Sequence, residues 1–244
     1  PLIKIGLIEL SNAEYHLVIT AHHIIFDGWS TGILLEELGA LYTAFDKNEI
    51  PVLPEAESFV TYADSQQLFI NSKDYSATEN FWLDQFKSSV PVLSLPTDAP
   101  RPKLRTFKSE RLDFSIPNLS VNALKKVGIK AGCSFVTTLM SAFEVFLYNQ
   151  TGQDDLVLGL PASGQASSGK TQLIGHCVNL LPLRSHVDAN STFNTYLKQR
   201  KTQLFDAYDY QELSFGQLIQ KLNVDRDPSR VPLVPVVFNI DIGM

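Results

Sequence analysis

The order of apolar and polar residues predicts that strands and helices alternate along the chain. Residues 2–10 and 15–21 are rich in β-forming apolar residues and flank Ser11-Asn12, which predicts a β-hairpin. Apolar residues then recur close to a 3.6-residue period, which predicts a helix over 31–45. This alternation continues along the chain and is typical of an α/β fold. Further helices are predicted over 59–70, 78–86, 121–130, 135–149 and 193–207, and strands over 109–116, 156–160 and 236–240.

Serine, glycine and proline mark where the predicted elements end. Ser30 is the predicted N-cap of the helix over 31–45, and Gly132 and Gly152 are predicted to end two later helices. Four prolines fall within residues 91–105, and proline blocks both helix interiors and central strands. This stretch is therefore the best candidate for a linker between two parts of the chain.

The composition narrows the classes of function. With 244 residues, of which 44% are hydrophobic, the chain is long enough to bury a sizeable core. Its net charge of −6 shows no excess of the basic residues that bind nucleic acid. No run reaches the roughly 18 apolar residues of a membrane span. Cys133 and Cys177 lie far apart and need not pair, which fits a cytoplasmic location. We predict no nucleic-acid partner, no membrane contact and no metal site.

The segment with the clearest candidate chemistry is His22-His23-Ile24-Ile25-Phe26-Asp27-Gly28-Trp29-Ser30, between a predicted strand and a predicted helix. A single histidine beside an apolar strand is usually a hydrogen-bonded core residue, and an isolated Asp-Gly is usually a turn. Adjacent side chains on an extended chain point to opposite faces, so only one of His22 and His23 can face a given pocket. Because imidazole can take up a proton near neutral pH, the segment predicts a site in which one of the two histidines takes part in the chemistry.

This segment resembles the HHxxxDG signature of the condensation domains of nonribosomal peptide synthetases. The wider relatives of that family are acyltransferases similar to chloramphenicol acetyltransferase. Four further segments resemble other motifs of the family in the family's order, which argues against coincidence. They are Tyr62-Ala63-Asp64, the run from Ile174 to Arg184, a weaker match from Tyr210 to Phe215, and the run from Arg226 to Leu233.

The resemblance implies a fold of the chloramphenicol acetyltransferase type, in which two related α/β subdomains form a V around a central tunnel. Residues 1–93 would be the C-terminal part of the first subdomain, 94–108 the linker, and 109–244 part of the second subdomain. The family's domain is longer than this chain, and the family's early motifs are absent before His22. We therefore expect a partial domain that is truncated at both ends.

The resemblance also implies an activity, the formation of an amide bond between a donor acyl thioester and the amine of an acceptor aminoacyl thioester. Both substrates would be carried on phosphopantetheine by partner carrier domains, and no cofactor would bind to the chain itself. The partners would be the donor and acceptor carrier proteins and a neighbouring adenylation domain, in nonribosomal peptide or hybrid polyketide–peptide biosynthesis. The form of residues 175–184 is similar to that of domains at polyketide–peptide junctions.

In this interpretation six residues of the segment from His22 to Ser30 have a role. His23 would take up the proton of the attacking amine or orient that amine, and Asp27 would be a structural anchor paired with Arg184. The amide of Gly28 would donate to the developing oxyanion. The turn and the start of the helix would be supported by His22, Trp29 and Ser30. The tunnel would be lined by Asn179 and Asn239.

Three alternatives to this function are open. Two keep the same fold: a free-standing acyltransferase that uses coenzyme A thioesters, and a non-catalytic domain that recruits partners within an assembly line. The third comes from Gly164 to Thr171, which match the GxxxxGK[ST] phosphate-binding pattern after a predicted strand. Phosphate binding needs a helix to begin at the Lys-Thr, and residues 172–184 do not predict one. A flexible surface loop is the simpler interpretation of this stretch.

Overall fold

The structure is a computed structural model that describes residues 1–106, 108–222, 224 and 227–241. Contacts divide the described residues into two compact units, one within 1–72 and 163–178 and the other within 73–162 and 179–241. The strands are β1 (Ile3–Ser11), β2 (Glu14–Ala21), β3 (Asp155–Ser163) and β4 (Val178–His186). The helices are α1 (Gly28–Asp46), α2 (Phe59–Ile70), α3 (Lys73–Gln85), α4 (Asn118–Ala131), α5 (Phe135–Thr151), α6 (Gly164–Ser168), α7 (Phe193–Asp209) and α8 (Phe215–Leu222).

The first unit begins with the predicted hairpin, in which β1 and β2 run antiparallel. Ile3 lies opposite Ala21 and Leu7 lies opposite Leu17, and the turn falls one residue later than predicted, at residues 12–13. Successive side chains of a strand point to opposite faces, and apolar side chains are exposed on both faces of this hairpin. Leu7 is 66% exposed and Ile8 on the other face is 52% exposed. The strand β2 then leads directly into the HHxxxDG segment.

The second unit is built around β3, in which residues 156–160 are all buried. This strand pairs with β4, and the helices α5 and α7 pack on each other. A buried ion pair joins these two helices, because Arg200 Nη2 lies 2.7 Å from Glu144 Oε1 and Arg200 Nε lies 2.9 Å from Oε2. The Tyr196 hydroxyl donates to Glu144 Oε2 at 2.7 Å. The apolar core around them includes Trp82, Met140, Leu156, Leu158, Leu181 and Leu204.

The predicted helices are confirmed, with ends that shift by a few residues. Gly132 and Gly152 end α4 and α5 as predicted, at φ values of +67° and +69° that glycine adopts without strain. In the described part, no single helix is long and apolar enough to cross a membrane. Only α4 and α5 together meet that test, and the pair is bent by 108°.

Two of the predicted strands differ from the structure. The strand predicted over 109–116 is wrong, because residues 108–116 form no regular secondary structure, with Leu112 76% exposed and Phe114 84% exposed. An alternating sequence becomes a strand only where a neighbouring strand supplies hydrogen bonds. The strand predicted over 236–240 is reduced to one parallel bridge between Val237 and Gly159. The assignment of residues 1–93, 94–108 and 109–244 to two subdomains and a linker stays a prediction.

Candidate active site

Two consecutive turns carry the chain from β2 into α1 and position the two histidines. The N–H of Ile25 donates to the His22 carbonyl at 3.1 Å, and the N–H of Phe26 donates to the His23 carbonyl at 3.4 Å. His22 Nδ1 accepts a hydrogen bond from the N–H of Ile24 at 3.1 Å, so the His22 ring stabilises the turn. The His23 side chain is exposed, and no hydrogen bond from another described residue holds its ring.

Asp27 is the buried centre of the site, with 2% of its surface exposed. It is the N-cap of α1, because its Oδ1 accepts from the N–H of Ser30 at 2.9 Å and from the Ser30 hydroxyl at 2.8 Å. Its Oδ2 accepts from Gln165 Nε2 at 2.9 Å and from the N–H of Cys177 at 3.0 Å. The prediction that Ser30 is the N-cap is wrong, since Asp27 takes that position and Ser30 lies in the first turn of the helix.

Hydrogen bonds determine the charge state of Asp27. Burial alone raises the pKa of a carboxyl group, because the charged form loses its hydration. Here the donors of Gln165, Cys177 and Ser30 outweigh burial and hold the pKa of Asp27 below its ordinary value of 3.8. Asp27 is therefore a carboxylate at neutral pH, and its charge is stabilised by neutral donors.

Arg184 has a different partner from the one predicted. Its Nη2 lies 2.6 Å from Asp155 Oδ2 and its Nε lies 2.9 Å from Asp155 Oδ1, which makes a bidentate ion pair. The hydrogen bond with Asp155 raises the pKa of Arg184. The predicted pair of Asp27 and Arg184 is wrong, because Asp155 binds the guanidinium while neutral donors occupy both oxygens of Asp27.

Residues 175–177 are held against the HHxxxDG segment through their backbone. The N–H of Gly175 donates to Ser30 Oγ at 3.0 Å, and the Gly175 carbonyl lies 3.0 Å from the same hydroxyl. The N–H of Cys177 donates to Asp27, and the Cys177 carbonyl accepts from the N–H of Gly164 at 3.0 Å. Burial and the charge of Asp27 raise the pKa of the Cys177 thiol to about 11, so this thiol is neutral at physiological pH.

This arrangement places the ring of His176 beside that of His23. The two ring centroids are 5.1 Å apart and the ring planes meet at 89°, an edge-to-face contact. Both side chains are exposed. A second link runs along the same segment, where the Trp29 ring N–H donates to the Thr171 carbonyl at 3.0 Å. The start of α1 is therefore connected to residues 171–177 at several points.

Sequence reasoning missed Gln165 and His176 as residues of the site. Gln165 is fully buried, and its Nε2 donates to Asp27 while its Oε1 accepts from the Ser163 hydroxyl at 3.1 Å. Gln165 and Asp27 are 138 positions apart, so no local pattern marks their contact. His176 had a signal, since it is an imidazole within the segment that resembles a family motif.

The glycine-rich stretch that matches the phosphate-binding pattern has a different structure. Residues 164–168 form the short helix α6, with Ser163 as its N-cap and Gly169 as its C-cap at φ +69°. Lys170 and Thr171 follow the end of this helix, and no helix begins there. The phosphate-binding alternative is therefore wrong. The expectation of a flexible loop is also wrong, because α6 carries Gln165 to Asp27.

Two glycines allow α2 to pack closely behind this segment. A Cβ atom on Gly175 would lie 2.4 Å from the ring of Phe59, and one on Gly164 would lie 2.4 Å from the hydroxyl of Tyr62. Phe59 and Tyr62 both belong to α2, which contains the Tyr62-Ala63-Asp64 segment. Glycine at these two positions is therefore required for the approach of α2.

Gly28 is the first residue of α1, and the space where its Cβ would lie is open. In the described part of the chain no acceptor binds its N–H, and the positive end of the helix dipole lies at this position. The backbone of Gly28 can therefore be approached by a ligand. No group of three or more His, Cys, Asp or Glu among the described residues could hold a metal ion.

The two predicted tunnel residues have different surroundings. Asn179 Nδ2 donates to the carbonyls of Gln211 and Leu213 at 2.7 and 2.8 Å, and its Oδ1 accepts from the N–H of Phe215 at 3.0 Å. These bonds give Asn179 a structural role before α8. Asn239 is exposed and lies 3.3 Å from Asp241. Their position in a tunnel stays a prediction, and Arg226 of the last matching segment lies outside the described residues.

Comparison with solved structures identifies the fold. The chain superimposes on a four-domain nonribosomal peptide synthetase bound to AMP and glycine with a TM-score of 0.85 and 24% identity, covering 99% of this chain and 18% of that one. It also matches the X-domain from teicoplanin biosynthesis, with a TM-score of 0.84 and 21% identity over 97% of this chain and 54% of that one. These likenesses confirm the predicted α/β fold of the chloramphenicol acetyltransferase type.

The sequence then identifies the family. The family model of the condensation domain matches residues 1–242, and the chain therefore belongs to the condensation domain family, as its motifs predicted. It is 36% identical to surfactin synthase subunit 1 of Bacillus subtilis (strain 168) over 240 residues, or 98% of this chain and 7% of that protein. It is 32% identical to bacitracin synthase 2 of Bacillus licheniformis over 240 residues, or 98% of this chain and 9% of that protein. The chain thus spans a small part of these synthetases.

Proposed function

We propose that the chain supplies the catalytic histidine segment of a condensation domain that forms amide bonds in nonribosomal peptide or hybrid polyketide–peptide biosynthesis. Membership of the condensation domain family and the similarity to peptide synthetases support this assignment. Donor and acceptor would arrive as thioesters on the phosphopantetheine of carrier domains, with an adenylation domain in the neighbourhood. The free cysteines Cys133 and Cys177 are buried, which fits a reducing, cytoplasmic location.

The observation that carries the proposal is the network around Asp27. This network joins the turn after β2, the start of α1 and residues 175–177, so the backbone under His23 is held from several sides. Above it the His23 ring is exposed and can be reached by substrate. A general base must be positioned while its ring stays accessible, and a buried, hydrogen-bonded backbone beneath an exposed imidazole fits that need.

The reaction would proceed by attack of the acceptor amine on the donor thioester carbonyl. The C–N bond forms, the C–S bond breaks, and the proton of the amine passes through His23 to the departing thiolate. A free α-amine has a pKa of about 7.7–8.0, so part of it is already neutral and its proton leaves as the bond forms. The N–H of Gly28, at the positive end of α1, would stabilise the oxyanion of the tetrahedral intermediate.

General-base assistance is worth roughly 10²–10⁴-fold in rate, and positioning of the two tethered substrates would supply the remainder. We therefore expect His23→Ala in the full-length synthetase to slow amide formation by about 10²-fold or more. The assay loads purified carrier domains with donor and acceptor and follows the mass of the acceptor thioester.

The control is His16→Ala, which removes an exposed histidine of β2 that has no part in the site. Wild-type rates in the His23→Ala protein would contradict the role given to His23. Free coenzyme A thioesters, offered in place of loaded carriers, test the acyltransferase alternative. Turnover with these thioesters and none with loaded carriers would overturn the proposal. Loaded carriers that stay unreacted with the wild-type protein would favour a recruitment domain.

A further inference from the structure

We propose that His176 is a positioning residue for His23, an inference that rests on the proposed function. The ring of His176 contacts the ring of His23 edge to face, with centroids 5.1 Å apart and planes at 89°. Aromatic rings favour this geometry because the positive edge of one ring meets the negative face of the other. The contact restricts the direction in which the His23 imidazole points.

The backbone on both sides of His176 is fixed by the site itself. Gly175 is bonded through its N–H to the Ser30 hydroxyl, and Cys177 is bonded through its N–H to Asp27. Gly175 also lies against the Phe59 ring, where no side chain would fit. Because hydrogen bonds hold the backbone of both neighbours, the backbone of residue 176 is already ordered, and placing its ring against His23 costs less conformational entropy.

His23 needs such a surface more than His22 does. The His22 ring is held by the N–H of Ile24, whereas no hydrogen bond from the described residues holds the ring of His23. An exposed side chain without a partner samples several rotamers, and only one of them points the reacting nitrogen at the amine. The ring of His176 removes part of this freedom. The network around Asp27 therefore acts on His23 from two directions, through the turn and through residue 176.

Three variants of His176 in the full-length synthetase separate ring packing from other functions of the imidazole. His176→Ala removes the ring, His176→Gln keeps hydrogen-bonding groups without a ring, and His176→Phe keeps a ring without the nitrogens. We expect the Ala and Gln variants to lower kcat about fivefold to tenfold, with KM for the loaded carriers unchanged. The Phe variant should stay within about twofold of the wild type, because it preserves the edge-to-face contact.

The matched control is His186→Ala, which removes an exposed histidine whose Nε2 lies 3.4 Å from Asp154. Its kcat should equal that of the wild type. The inference would be overturned if the Ala variant turned over at the wild-type rate, or if the Phe variant were as slow as the Ala variant. Partial rescue by Gln and none by Phe would assign a proton or hydrogen-bond role to His176 and would likewise overturn positioning by packing.

A measurement without turnover separates this inference from the proposed function. Nuclear Overhauser contacts between the ring protons of the two histidines can be recorded on histidine-labelled protein and assigned with the His23→Ala and His176→Ala variants. We expect a cross-peak in the wild type and none in either the His23→Ala or the His176→Ala variant. A cross-peak in a protein that forms no amide bond would contradict the proposed function and leave the ring contact intact. An active wild-type protein without the cross-peak would overturn the role of His176 alone.

Discussion

Asp27 and Glu144 are both buried carboxylates that join distant segments, yet only Asp27 lies beneath a candidate active site. Glu144 is bound by the guanidinium of Arg200 and the hydroxyl of Tyr196, all of which are buried. Asp27 is bound by a side-chain amide, two backbone N–H groups and a hydroxyl. The two segments that Asp27 joins carry exposed histidines, whereas the helices that Glu144 joins present no such group at the ion pair.

The comparison shows that a buried charge is not by itself evidence of a functional site. An ion pair in the core fixes the packing of two helices, and its desolvation cost makes the net contribution to stability small. A carboxylate that binds backbone N–H groups instead orders the main chain, and ordered main chain is what an exposed catalytic group needs beneath it. The useful signal is therefore which side chains project from the ordered backbone.

The two tryptophans of the sequence make this comparison measurable, because each unit contains one. Trp29 lies in the first turn of α1 in the first unit, and Trp82 is buried in the second unit, where its ring N–H donates to the Tyr210 carbonyl at 2.7 Å. The Trp82→Phe variant leaves Trp29 to report on the first unit, and Trp29→Phe leaves Trp82 to report on the second. Unfolding in urea can then be followed separately for the unit that contains Asp27 and for the unit that contains Glu144.

The largest effect on stability is expected for Glu144→Ala. Removing one partner of a buried ion pair leaves the guanidinium of Arg200 without its counter-charge, which costs about 3–5 kcal/mol of unfolding free energy. The Trp82 fluorescence in the Trp29→Phe background measures this loss. The control is Asp113→Ala, which breaks an exposed ion pair with Arg111 and should change stability by about 1 kcal/mol or less. Equal losses in the two variants would contradict the role given to the buried pair.

Local sequence predicted the HHxxxDG turn well and the support beneath it poorly. The periodicity of residues 33–45 and the apolar run before His22 placed the strand, the turn and the helix, because these features depend on neighbours a few positions apart. Gln165 could not be identified, since its contact with Asp27 joins residues 138 positions apart. The prediction that Arg184 pairs with Asp27 was wrong for the same reason. Tertiary structure, and not local sequence, decides that Arg184 pairs with Asp155.

Strand predictions show the same limit. Residues 156–160 were predicted as a strand and lie in β3, where the run is buried and β4 is its neighbour. The segment 109–116 has the alternation of a strand and does not form one. Alternation shows only that the apolar side chains would share one face, and it does not supply the neighbouring strand that pairing needs. Helices were predicted with greater success because their hydrogen bonds are local.

A smaller effect is expected for Gln165→Leu, which tests the residue that sequence reasoning missed. Leucine fills a similar volume but offers no donor to Asp27, so the first unit should lose about 1–2 kcal/mol in unfolding free energy. Trp29 fluorescence in the Trp82→Phe background measures this change. The matched control is Gln67→Ala on the exposed face of α2, which should leave stability within about 0.5 kcal/mol. A Gln165→Leu protein as stable as the control would show that this hydrogen bond contributes nothing.

The smallest expected effect is a pH dependence of the first unit that comes from Asp27. Its pKa in the folded chain is below the ordinary value of 3.8, so the folded state binds fewer protons than the unfolded state in that range. The stabilisation is therefore complete above about pH 4 to 5 and is lost as the pH falls through the lowered pKa. Asp27→Asn carries no charge at any pH and lacks this contribution.

The measurement compares the unfolding free energy of wild-type and Asp27→Asn proteins between pH 7 and pH 2.5, again with Trp29 as the reporter. We expect a constant difference from pH 7 to about pH 5 and a progressive decrease below about pH 4. All other titrating groups are common to both proteins, so their contributions cancel in the difference. A difference that stays constant down to pH 2.5 would mean that hydrogen bonds do not favour the charged form of Asp27. If burial outweighed the hydrogen bonds, the pKa of Asp27 would be raised, and the wild type would instead gain stability relative to Asp27→Asn as the pH falls toward that pKa. The contrast with the ion pair of Glu144 would then rest on geometry alone.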